Sequence, residues 1–109
     1  MFRSVAEAEG GDVGTETTFH YRESDGVIHA RYAGGSITLG FLVGTRSGDA
    51  LEFRYAQLRA DGTTAAGHCE STIETLPDGR LRMNETWEWD SHDGAGTSVV
   101  EQVAGDVTA

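Results

Sequence analysis

Only one cysteine, Cys69, occurs in the chain, so no intramolecular disulfide can form. A lone thiol fits a reducing compartment better than an oxidising one. Lysine is absent: all eight bases are arginine, set against 18 acids. The formal net charge of −10 leaves no basic patch for phosphates. That excludes a nucleic-acid-binding surface and disfavours an anionic membrane. No apolar run approaches the roughly 20 residues of a membrane-spanning helix. The opening MFRSVAEAEGG lacks the apolar stretch of a signal peptide. These absences set the expectation of a soluble cytoplasmic protein with no membrane partner. A long helix is missing too. The one candidate, 50–60, also reads as a strand, and its flanking turns favour the strand.

What is present is turn chemistry at regular intervals. SDG stands at 24–26, GG at 34–35, SGD at 47–49, ADG at 60–62, PDG at 77–79 and HDGAG at 92–96. Asp-Gly pairs supply the positive backbone dihedrals that tight hairpins need. With 109 residues, 38% of them hydrophobic, the chain can bury one core. Residues 1–12 are acidic and glycine-rich and read as a flexible leader; 13–109 read as a single domain. Strands are expected over 15–23, 27–33, 36–44, 50–59, 63–75, 80–90 and 97–103. Their alternation places Phe19 with Tyr21, Ile28 with Ala30 and Tyr32, and Leu51 with Phe53, Tyr55 and Gln57. In 36–44 it groups Ile37, Leu39, Phe41 and Val43 as the inward set. Short connections between consecutive strands give an antiparallel meander, and closing it removes exposed edges. The expected fold is all-β: a single antiparallel up-and-down β-barrel of seven or eight strands, lipocalin-like or avidin-like in general shape. A two-layer β-sandwich is the alternative.

One strand carries the functional clue. In RLRMNETWEWD, Leu81, Met83, Glu85, Trp87 and Trp89 share one face, and charged or polar residues share the other. A glutamate on a Trp-rich inner face is costly unless hydrogen-bonded. It is either a ligand-orienting acceptor or acid/base group, or a structural carboxylate held by tyrosine and indole donors. Strand 63–75 faces inward with Ala65, Gly67, Cys69, Ser71 and Ile73, small residues that leave room for a ligand or for the tryptophans opposite. His68 is adjacent to Cys69 and points to the other face, so the pair makes a poor nucleophile and base. His20 and His29 face solvent by parity, and no spacing completes a metal set. GGS at 34–36 lacks the helix and lysine of a phosphate loop, and no G-x-S-x-G elbow occurs. No cofactor or metal is therefore expected.

Several segments together resemble a known family: YAGGSITLGFLVG (32–44), LEFRYAQLRADG (51–62), GHCEST (67–72), LPDGRLRMNETWEW (76–89) and SVVEQV (98–103). The chain is similar over 19–103 to a group of small bacterial proteins labelled N-acetylglutamate synthase. The label implies acetyl transfer from acetyl-CoA to glutamate. The residues depart from the usual acetyltransferase pattern, having neither its glycine-containing pyrophosphate loop nor the helix behind it. The residue-level reading is binding of a small, partly apolar molecule inside the barrel. Tyr32, Tyr55, Gln57, Ser71, Glu85, Trp87 and Trp89 line it, with Glu85 and Gln57 fixing polar atoms. The competing classes are a small cofactor-free barrel enzyme using Glu85 as acid or base, and a structural or oligomerising domain with a filled core. A homodimer is left open.

Overall fold

In the computed structural model, which describes residues 2–4 and 14–103, alternation and turns produce eight strands. They are β1 (Phe2–Ser4), β2 (Thr18–Ser24), β3 (Val27–Gly34), β4 (Ile37–Ser47), β5 (Ala50–Arg59), β6 (Thr64–Thr75), β7 (Leu81–Trp89) and β8 (Ala95–Gln102). Each pairs antiparallel with its neighbour in sequence, and β1 pairs with β8, so the sheet closes into a barrel. This rules out the two-layer sandwich. The Asp-Gly turns act as expected. Ser24 pairs with Val27, and the two residues between them, Asp25 (φ 51°) and Gly26 (φ 79°), both take positive φ. That is the two-residue hairpin whose twist matches the strands it joins. No helix among the described residues is long and apolar enough to cross a membrane.

Two expectations need correction. The stretch 1–12 is not a leader throughout, because Phe2–Ser4 is the strand that closes the barrel. Phe2 pairs with Phe19 on one side and Gln102 on the other, and its ring meets Tyr21 edge-on at 5.3 Å. Closure satisfies backbone groups that would otherwise line two open edges. The rest of that stretch lies outside the described residues.

The second correction concerns β4. Ile37 is buried as expected, but Leu39, Phe41 and Val43 point outward, and Gly40 and Leu42 point inward. A register shift between Ile37 and Leu39 flips the parity. Packing explains why the glycines go in. A Cβ on Gly40 would run into the Tyr32 ring, and one on Gly44 would meet the backbone and Cβ of Phe53. The core therefore forms from Phe19, Ile28, Tyr32, Ile37, Leu42, Leu51, Phe53, Met83, Trp87, Trp89 and Val100, all buried. Large rings from one strand fill space left by small residues on the next, as barrel interiors require.

Candidate functional site: a polar cluster inside the barrel

Tyr32, Tyr55, Gln57, Ser71, Glu85, Trp87 and Trp89 all lie on inward positions of their strands, and they divide between two levels. At one level Tyr32 donates to Gln57 Oε1 at 2.8 Å, and Phe19 stacks on Tyr32 at 4.9 Å. Trp89 belongs to an aromatic group beside Tyr55 (5.7 Å) and Trp87 (5.7 Å), with His92 stacked on it at 4.7 Å. The Arg59 guanidinium sits 5.6 Å from the Trp89 ring centre, a cation–π contact. The inward small residues of β6 are sockets for this group: a Cβ on Gly67 would collide with the Tyr55 hydroxyl and the Glu88 carbonyl.

The second level holds Glu85. In cross-strand register Leu51 pairs with Ser71, Ser71 with Glu85 and Glu85 with Ser98. Gln57 pairs with Ala65, six residues further along β6, or about 20 Å of strand. Glu85 and Gln57, both expected to fix polar atoms, thus stand well apart along the β6 register. The donor to Glu85 is Ser98, whose hydroxyl reaches Oε1 at 2.9 Å. Glu85 is buried, and loss of water pushes its carboxyl up to about 7, with the Ser98 hydrogen bond pulling the other way.

Tyr21 and Ser71 complete this level. Both hydroxyls are buried, and neither has a hydrogen-bond partner among the described residues. Burial, followed by the negative charge of Glu85, holds the Tyr21 phenol well above its ordinary range, so it remains an O–H donor. Buried polar atoms are nearly always paired, so two orphan hydroxyls around one carboxyl are unusual. Sequence reasoning named Ser71 and Glu85 and missed Tyr21 and Ser98. Tyr21 was visible as the alternation partner of Phe19. Ser98 follows once the HDGAG hairpin sets the register, since Trp87 opposite Gly96 puts Glu85 opposite Ser98.

Cys69 is buried on the same face, and its thiol donates weakly to the Glu70 carbonyl at 3.6 Å. Burial first, and the charges of Glu85 and Glu70 next, push the thiol far up. His68 faces outward and binds Asp90 at 2.8 Å through Nδ1, so it gives Cys69 no base. A thiol reagent should label the native protein slowly and the denatured protein at once. Fast native labelling would show that the thiolate is accessible. His20 and His29 are exposed and pair with Arg31 and Arg22 rather than with each other. Among the described residues no group of three metal-binding side chains converges.

A shallow groove of about 500 Å³ also crosses β4 to β8. Most of its lining comes from outward positions, including Thr45, Glu52, Glu70, Thr86 and Thr97, with Leu51, Ser71, Glu85 and Ser98 between them.

A closed eight-stranded antiparallel barrel whose strands follow one another in sequence order belongs to the class of up-and-down β-barrels. The particular family follows from comparison: the model of the avidin-like protein family matches residues 1–103, and the chain belongs to that family. No curated protein and no solved structure matches it.

Proposed function

We propose that the barrel binds a small molecule whose polar end reaches Tyr21, Ser71 and Glu85 and whose apolar part lies among the aromatic rings. The carrying observation is the pair of buried, unpartnered hydroxyls beside a buried carboxyl. Such groups cost free energy while they lack partners, and a ligand that supplies them recovers it. Two hydroxyls that either donate or accept, next to a carboxyl that accepts when ionised, suit a small polar head carrying both kinds of group. Aromatic walls with a few placed polar groups are the usual make-up of such sites. Membership in the avidin-like family supports the same reading.

Native mass spectrometry of the purified protein, looking for a co-purifying molecule, is the first experiment. Titration of that molecule into the Tyr21→Phe variant is the second. Phenylalanine keeps the ring against Phe2 and removes a hydroxyl that has no partner in the free protein. Stability should therefore stay level or rise by up to about 1 kcal/mol, while binding weakens about tenfold. A clear loss of stability with unchanged binding would mean that Tyr21 is structural, and the reading would fall.

A second reading rests on one observation. The Glu85 carboxyl, at about 7, is poised to exchange a proton near neutral pH, as a general acid or base must be. Turnover of the bound molecule that is lost in Glu85→Gln would favour it.

A further inference from the structure

Glu85 is the one charged side chain buried among the described residues, and no base answers it. All eight bases of the chain are arginines. Of those on inward positions, Arg46 is taken by Glu23 at 2.8 Å, and Arg59 lies against the Trp89 ring. The other six face outward or pair with surface acids. The carboxyl therefore feels lost water and the Ser98 hydroxyl, and no positive charge. A buried carboxylate without a counter-charge is costly, and natural proteins retain such groups mainly where function needs them.

The groups around it are suited to a cation. The Tyr21 and Ser71 hydroxyls have no partner, and each oxygen can accept a hydrogen bond. With the carboxylate they offer three acceptors, the number of N–H donors on a primary ammonium. Trp87 stands two residues along β7 on the same face, roughly 7 Å away, and indole rings attract cations. An anionic head would be repelled by Glu85, and a neutral one would leave its charge unbalanced. The chain's formal net charge of −10 draws cations to the molecule from outside.

We infer that the molecule the barrel takes is an organic cation, an amine or amidine whose charged nitrogen pairs with Glu85 and donates to Tyr21 and Ser71. The inference rests on the ligand site proposed above and names the chemistry of its occupant. It also makes binding depend on pH through one group. Tyr21 from β2 and Cys69 from β6 are the other titratable side chains near Glu85, and burial keeps both protonated. Ser71 and Ser98 from the two flanking strands carry no charge. Between mild acid and mild alkali Glu85 alone changes charge, and the cation binds its ionised form.

Calorimetric titration of the full chain with three probes that share one aromatic body tests it: 2-phenylethylammonium, 2-phenylethanol and phenylacetate. At about pH 8.5 the ammonium should bind at least about tenfold more tightly than the alcohol, and the carboxylate least of all. From about pH 8.5 to about pH 5.5 the ammonium's affinity should fall about 30-fold, because below about 7 a proton must first leave Glu85. The amine itself stays charged across that range. Glu85→Gln should remove both the preference and the pH dependence. Glu52→Gln combined with Glu70→Gln should leave both intact, which separates the interior from the two exposed acids paired across β5 and β6. An alcohol that binds as tightly as the ammonium, or a preference that survives in Glu85→Gln, overturns the inference and leaves the small-molecule site standing. Failure of all three probes to bind overturns both.

Discussion

Denaturant unfolding is expected to show a protein more stable in mild acid than at alkaline pH by about 3 kcal/mol, with the difference abolished in Glu85→Gln. The reasoning concerns a single carboxyl, ordinarily near 4.5 and raised to about 7 in the fold. Below about 4.5 both folded and unfolded chains hold the proton, and the group leaves stability unaffected. Between there and about 7 the unfolded chain releases the proton and the folded chain keeps it, so stability falls as pH rises. Above that, both are ionised and the full cost of a charge in the barrel is felt. The cause is desolvation, which one serine hydroxyl only partly offsets. Glutamine keeps the shape and the oxygen that accepts from Ser98, and carries no charge to bury. The variant should match wild type near pH 4 and exceed it by about 3 kcal/mol near pH 8. Parallel pH profiles for the two proteins would show Glu85 to be solvated.

The larger loss is expected at Trp87. Its indole is buried in the barrel beside Trp89 at 5.7 Å, and its backbone pairs with Cys69 on one side and Gly96 on the other. Trp87→Ala should cost about 4 kcal/mol, since a cavity this size is added to lost transfer energy. For a domain whose total stability falls in the ordinary range of about 5–15 kcal/mol, that approaches unfolding. The socket is as specific as the ring. A Cβ on Gly96 would lie 2.7 Å from Trp87 Cζ2 and 3.1 Å from Cη2. Gly96→Val should therefore cost about 2 kcal/mol through overpacking. Combining Gly96→Val with Trp87→Leu should cost clearly less than the sum of the two changes made singly, because each relieves the strain or void of the other. Strict additivity, read from the same denaturant curves, would show that the two positions do not share a space.

Much of this was legible in the sequence where local chemistry is strong. Asp25–Gly26 can hardly do anything but turn, and LRMNETWEW alternates so cleanly that the inward set of β7 follows from parity alone. β4 was not legible in that way. In ITLGFLVG both parities are apolar, so alternation cannot choose a face, and the choice is made by rings on other strands. The Tyr32 ring and Phe53 need the room that Gly40 and Gly44 leave. Two glycines four residues apart on one parity were the available signal. β1 escaped because three residues carry too little pattern, and one of its two partner strands, β8, lies at the far end of the sequence. The site was half visible for the same reason: Glu85 and Ser71 stand out against apolar neighbours. Tyr21 and Ser98 become part of the site only when the register brings their strands round the barrel.

The pairing of β1 with β8 has a consequence for how the molecule is made. Chain synthesis runs from β1 towards β8, and each hairpin can form as soon as its second strand leaves the ribosome. Closure cannot, because Phe2 must wait for Gln102. Until then β1 lacks its β8 partner, and the sheet is not closed around the aromatic interior. That interval is long for a protein of this size, since the contact that ends it spans nearly the whole barrel sequence, and such distant pairings form slowly. An open edge presented beside other nascent chains is a template for pairing with the wrong strand. The cell's yield of closed barrel should thus depend on how crowded the translating message is, and slower initiation should raise the soluble fraction.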